Sequence, residues 1–279
     1  MTTLRRRTKK GSDTFSGRKR YLTPFSPEAA TPGAPRSRRR ARPDAPVPPE
    51  LLLRPDRKAA APRMASEAVL VTGFEPFGGE AMNPSWEVCQ RLPREIAGLR
   101  VETCRVPCVF HRAIEVVAQA IERARPALVI CLGLAPGRTH VGVERVAINV
   151  DDARNADNSG ARPIDEPIAA DGPPAYFATL PVKAMVAALR GAGVPAEVSN
   201  SAGTYVCNHL MYGVLHFLAT RGIRARAGFV HLPFAAEQAL DRRDTPSLPL
   251  ATMAAGIEAA IAAALRTARD PKLAGGALD

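Results

Sequence analysis

Aromatic residues are scarce in this chain, at 5% of 279 residues with a single tryptophan. Aromatics interleaved with basic residues, the pattern of a nucleic-acid groove, do not occur. No Cys-x-x-Cys pair is present, and the five cysteines (Cys89, Cys104, Cys108, Cys131 and Cys207) are an odd number. Both facts argue against a disulfide framework and against a zinc site. No stretch approaches the roughly 18 apolar residues of a membrane span, and no charged segment leads into an apolar signal core. These absences point to a cytoplasmic protein with no membrane partner, in which at least one thiol is free to work.

Excess charge is also lacking over most of the chain. The first 63 residues hold 17 of the 38 Lys and Arg but only five of the 27 Asp and Glu, so the formal net charge of +11 belongs to them. They also hold ten of the 26 prolines and few large apolar residues, too little to offset chain entropy. Residues 1–66 therefore read as a disordered basic tail. It is open to three readings: a nucleic-acid or anionic-surface arm, a transit peptide, or an over-extended reading frame with Met64 as the natural start. The last is the expectation adopted here, and nucleic acid is not an expected partner.

From residue 67 the pattern alternates strand and helix. The apolar run 68–74 reads as a buried strand, 84–96 as a helix, 99–109 as a strand and 112–124 as a helix. A third buried strand is expected over 127–134. Only a short loop separates it from 142–150, so that fourth strand is expected to return antiparallel beside the third. A polar loop over 151–174 precedes a helix near 181–191, a strand near 196–200, a helix near 204–221, a strand at 227–233 and a helix near 249–267. This order predicts a three-layer α/β/α sandwich with a mostly parallel mixed sheet, one domain over residues 67–279.

Ligands sit outside the carboxyl ends of such parallel strands. The turn Gly-Phe-Glu-Pro-Phe-Gly-Gly at 73–79 falls there, with residues 135–140, residues 200–204 and His231. The turn's glycines resemble a phosphate loop, but Phe74, Pro76 and Phe77 fill the space an anion would need. Cys207 is expected in the first turn of the long helix, capped by Thr204, where the helix dipole lowers a thiol's pKa. The plain alternative is a small buried hydrophobe. His231 ends its strand within reach of that helix as a candidate general base, with His140 as its rival. Glu144 begins an apolar stripe with Val146, Ile148 and Val150, and a buried carboxylate needs a partner: an imidazole, or an arginine such as Arg138 or Arg154. Together Cys207, His231 and Glu144 would make an acyl-transfer triad.

The ordered motifs VLVTGFEPFGG, NPSWEV, GLAPGR, ERVAIN, SAGTYVCNHLMYG and GFVHLP, between about residues 67 and 265, resemble the pyroglutamyl-peptidase I family of cysteine peptidases. The resemblance implies hydrolysis after the N-terminal pyroglutamyl residue of peptides, with no metal or cofactor. It implies a Cys207 nucleophile, a His231 base and a Glu144 orienting acid. It further assigns Phe74 and Phe77 to the walls of the lactam pocket, Tyr205 and Val206 to positions beside the nucleophile, and Asn83 and Leu134 to backbone contacts. Arg154 matches an arginine near the thiol, and a homo-oligomer, a dimer or tetramer, is expected. Two departures stand out: Asn155-Ala156 replaces an apolar residue and a proline, implying a looser loop, and Cys108 stands where threonine is common. A nucleoside-phosphorylase-like enzyme would share the layered architecture but would need an anion-binding glycine loop and basic phosphate ligands.

Overall fold

A computed structural model of the chain describes residues 68–276, and the basic tail lies outside the described residues. The order of elements is β1 (Ala68–Phe74), α1 (Pro84–Arg91), β2 (Glu95–Ile96), β3 (Leu99–Val106), α2 (Arg112–Ala124), β4 (Leu128–Leu134), β5 (Val141–Glu144), β6 (Val146–Ile148) and β7 (Ala175–Phe177). Then come α3 (Val182–Gly191), β8 (Ala196–Ser199), α4 (Val206–Thr220), β9 (Arg226–Leu232), β10 (Phe234–Ala235), a 3-10 turn at Ala236–Ala239, β11 (Ser247–Leu248) and α5 (Leu250–Arg266).

The main sheet has seven strands in the order β2-β3-β1-β4-β9-β5-β8. Its centre is parallel, and β2 and β5 run antiparallel to β3 and β9. Alternate residues of β1 and β4 supply the two faces. Val69, Val71, Leu128, Ile130 and Leu132 pack under α1, α3 and α5, whereas Leu70, Val129 and Cys131 pack under α2 and α4. A strand covered on both sides must be apolar at every position, which is why these segments read as continuous runs. The expected three-layer sandwich is the fold observed.

The region around residue 142 differs from expectation in two ways. The third and fourth strands do not form a hairpin, because β9 lies between β4 and β5. A strand two places away is only about 10 Å distant, and a loop of six residues can span roughly 20 Å, so a short connection did not require neighbours. The predicted strand 142–150 also breaks at Arg145. Its first part joins the main sheet, while β6 pairs with β7 in a separate two-stranded ribbon. Glu144 is therefore the last residue of β5, not the head of a long apolar stripe.

The segment after α5 folds back as a strap. Pro181, the residue before α3, offers no capping side chain. Asp270 supplies the cap from a distance, its carboxylate accepting from the N–H groups of Lys183 at 2.9 and 3.0 Å and of Ala184 at 3.0 Å. A carboxylate there satisfies two donors that the helix cannot and opposes the helix dipole. Replacing Asp270 by Ala is expected to cost about 1 kcal/mol and lower the melting temperature by roughly 2–4 °C, read by calorimetry. An unchanged melting temperature would mean that water replaces the cap.

Candidate active site

The carboxyl ends of β1, β4 and β9 meet at one edge of the sheet, and antiparallel β5 brings its start to the same edge. Gly133 of β4 is in register with His231 of β9, and Gly142 of β5 lies opposite the same histidine. His231 is 4% exposed and Glu144 is fully buried. His231 Nδ1 lies 2.7 Å from Glu144 Oε1. With the Nδ1 proton held by the carboxylate, Nε2 is the nitrogen left to accept a proton. The same Oε1 also accepts from Arg138 Nη1 at 2.9 Å, so both partners considered for Glu144, an imidazole and an arginine, are realised on one oxygen. Glu144 Oε2 has no hydrogen-bond partner among the described residues. The rival histidine is engaged elsewhere, since His140 Nε2 lies 2.8 Å from Glu197.

Cys207 is the second residue of α4, which starts later than expected. Tyr205 occupies the capping position without a side-chain bond, and Thr204 instead donates to the Asp152 carbonyl at 2.7 Å. The sulfur sits over β4: a Cβ added at Gly133 would lie 3.0 Å from Cys207 Sγ and 2.6 Å from the Phe229 ring. Only glycine at the position in register with His231 lets the thiol come this close to the sheet. Burial pushes the Cys207 thiol well above its ordinary value, Cys108 and Glu144 push the same way, and Arg138 opposes them. This is opposite to the lowering expected from the helix dipole, because loss of water outweighs a fractional helix charge. The residue as a whole is half-buried, so the desolvation acts on the sulfur where it lies over β4. The other cysteines are raised by burial too, with Cys108 and Cys131 pushed up to about 12.

The residues flanking Cys207 stitch the start of α4 to the chain that follows β5. Asn208 accepts from Ile148 N at 3.0 Å and donates to the carbonyls of Ile148 and Val150 at 2.9 and 3.0 Å. His209 Nδ1 meets buried Asp151 at 2.7 Å, while its Nε2 accepts from the N–H of His111 at 2.7 Å. Sequence reasoning passed over Asn208, His209 and Asp151. The one available signal was the presence of two polar residues in the first turn of a helix otherwise buried almost all round.

Phe74 is 2% exposed, its ring 6.4 Å from that of Phe229. Phe77 is half-buried with its ring 6.2 Å from Tyr205, and Phe110 meets Tyr205 edge-on at 5.5 Å. Asn83 caps α1, accepting from Ser85 N at 3.1 Å, and donates to the Glu75 carbonyl at 2.9 Å, which anchors the aromatic turn. Leu134 ends β4 and Val206 opens α4, both buried. Arg154 stands exposed on the loop after β6, and the guanidinium within bonding distance of Glu144 is that of Arg138.

The loop with the Asn155-Ala156 departure is pinned despite lacking the proline. The Ala156 carbonyl accepts from the Tyr205 hydroxyl at 3.0 Å, and Asn158 donates to Glu75 and to the Pro76 carbonyl. Burial pushes Asp157 up, but bonds from Phe110, Ser159 and Ala161 outweigh it and hold its carboxyl below the ordinary value. Among the described residues, no cluster of three or more His, Cys, Asp or Glu could hold a metal, and no helix is long and apolar enough to cross a membrane.

The triad expected from the sequence has His231 take the proton of Cys207, whose thiol burial raises. His231→Ala is expected to slow iodoacetamide alkylation of Cys207 at pH 7 by at least about tenfold, the loss one pKa unit of thiolate gives. The rate should recover as pH rises toward the thiol's own value. Peptide mass spectrometry reads this, and equal rates in both proteins at pH 7 would show that another group takes the proton.

The family model described as pyroglutamyl peptidase matches residues 67–267. A pyrrolidone-carboxylate peptidase of Streptomyces coelicolor is 55% identical over 206 residues, 74% of this chain and 95% of that protein. One from Erwinia tasmaniensis is 52% identical over 210 residues, 75% of this chain and 98% of that protein. Among solved structures, pyroglutamyl peptidase I of Bacillus amyloliquefaciens superposes with a TM-score of 0.73 at 39% identity, covering 75% of this chain and all of that one. The matched span contains every residue of the site just described, and the chain belongs to the pyroglutamyl peptidase family.

Proposed function

We propose that this chain is a cysteine-type peptidase that hydrolyses the bond after an N-terminal pyroglutamyl residue, with Cys207 as nucleophile, His231 as general base and acid, and Glu144 as the acid that orients it. The observation that carries the assignment of roles is the buried Glu144–His231 contact of 2.7 Å beside the helix start that bears Cys207. Membership of the family supports the reaction.

In this mechanism His231 Nε2 takes the Cys207 proton as sulfur attacks the carbonyl joining pyroglutamate to the next residue. The first-turn N–H groups of α4, which have no intrahelical acceptor, face the oxyanion that forms. The imidazolium, stabilised by Glu144, gives its proton to the departing amine. Water deprotonated by His231 then cleaves the thioester, releasing pyroglutamate and restoring the thiol.

The pocket follows from the substrate. A pyroglutamyl residue presents a flat neutral lactam without an α-amine, so apolar walls with a few amide partners suit it better than a charged clamp. Phe74 and Phe77 are assigned to the walls, Tyr205 and Val206 to the side next to the thiol, Asn83 and Leu134 to backbone contacts, and Arg154 to the loop closing over the site. The half-buried Phe77–Tyr205 pair and the pinning of residues 156–158 support a formed pocket.

Release of a fluorophore from a pyroglutamyl amide, with the matching proline amide as control, tests the activity. Cys207→Ser is expected to lower kcat/KM by at least about a thousandfold while leaving the fold intact. Near wild-type turnover in that variant would remove Cys207 from the mechanism.

The reading extends to a homo-oligomeric, cytoplasmic enzyme. Exposed large apolar side chains, Leu240 at 80% and Phe177 at 69%, support self-association, and five free cysteines suit a reducing compartment. Light scattering is expected to give a mass of two or four chains, and a single-chain mass at micromolar concentration would overturn the oligomer.

A further inference from the structure

We propose that Arg138 is a positioning residue of the triad, whose guanidinium shares Glu144 Oε1 with His231 and sets the pH range in which the triad works. The inference rests on the triad reading above. Its geometric basis is that two donors, His231 Nδ1 at 2.7 Å and Arg138 Nη1 at 2.9 Å, converge on one oxygen of a carboxylate with no exposed surface.

A buried carboxylate needs a counter-charge, and a neutral imidazole does not supply one. If Glu144 faced His231 alone, its charge could be met only by a cationic imidazole or removed by its own protonation, and neither leaves a neutral base held by an anion. A permanent cation on the same oxygen removes that demand. The imidazole then orients on the carboxylate without having to supply its counter-charge.

The surroundings are shaped for this cation. A Cβ at Gly142 would meet Arg138 Nη1, so the guanidinium in this position packs directly against the bare backbone of residue 142. Arg138 Nη2 lies 3.4 Å from Ser199 Oγ on β8, which turns the guanidinium plane across β5. The next arginine along the chain is no substitute, since Arg145 spends its side chain on the Gly275 carbonyl at 3.0 Å.

The titratable groups that face Arg138 or share its carboxylate are Glu144 of β5, His231 of β9, Cys207 of α4 and the nearby His140–Glu197 pair, while Cys108 and Cys131 act on the Cys207 thiol. Apart from Arg138, none carries a permanent positive charge. Arg138 also counters the rise that burial imposes on the Cys207 thiol. Removing this charge makes every deprotonation in the triad harder. Both limbs of the kcat/KM profile should therefore move toward higher pH, in the same direction.

The pH dependence of kcat/KM for a pyroglutamyl amide separates this role from a packing role. The lactam substrate has no group that titrates in range, so both limbs belong to the free enzyme. Arg138→Met is expected to move both limbs upward by about one pH unit, the usual effect of losing an adjacent opposite charge. Arg138→Lys, which keeps the charge but loses the planar fork, should lower kcat/KM while leaving the limbs within a few tenths of their wild-type positions. Melting curves establish that each variant is folded, and if Arg138→Met is not, Arg138→Gln takes its place as the neutral variant.

Unmoved limbs in the folded neutral variant, or an equal shift in Arg138→Lys, would overturn the role. An inactive Cys207→Ser with unmoved limbs in the Arg138 variant sinks only this inference. An active Cys207→Ser sinks the triad reading and this inference with it.

Discussion

A carboxylate with no access to water governs the architecture of this site. Glu144 is fully buried, and a charge so placed is tolerable only if donors meet it with good geometry. The two donors come from different parts of the chain: His231 from the end of β9 and Arg138 from the loop between β4 and β5. Both can reach it because β9 is inserted between β4 and β5, making the strands of Glu144 and His231 neighbours. Glycines at 133 and 142 clear the space on either side, one for the thiol and one for the guanidinium.

The start of α4 solves a second problem, that of holding Cys207 steady on a helix end that lacks a side-chain cap. Thr204, Asn208 and His209 bind the segment from Ile148 to Asp152, so the first turn is tied to the chain that continues directly from Glu144. Cys207 and Glu144 are thus joined by two routes, across the sheet and along this seam. The burial of the sulfur over β4 also raises the thiol, and a thiol is a poorer target for oxidants and alkylating agents than a thiolate. In the proposed mechanism the thiol reacts as the His231 imidazole accepts its proton.

Much of this was legible beforehand. Helix α2 and strands β1, β4 and β9 were readable to within a residue or two, because both-face burial and helical spacing leave strong patterns in the chain. Cys207, His231 and Glu144 were identifiable as candidates from residue type and place at element ends. The β4–β5 hairpin was misread because loop length limits distance without choosing a partner. The break at Arg145 escaped notice because alternation looks the same in one strand as in two short ones. The lowered thiol expected at a helix start was reversed, since the dipole is a local property of the helix whereas burial depends on everything packed around it.

By itself, the sequence determined the layer architecture, the edge of the sheet where a ligand would sit and the chemical types available there, because periodicity and residue chemistry are written locally. Only the tertiary structure decided that β9 separates β4 from β5, that one oxygen of Glu144 serves both His231 and Arg138, and that burial raises the Cys207 thiol. Those outcomes depend on which distant segments share a volume from which water is excluded. That exclusion is a property of the packed whole, and no window of sequence contains it.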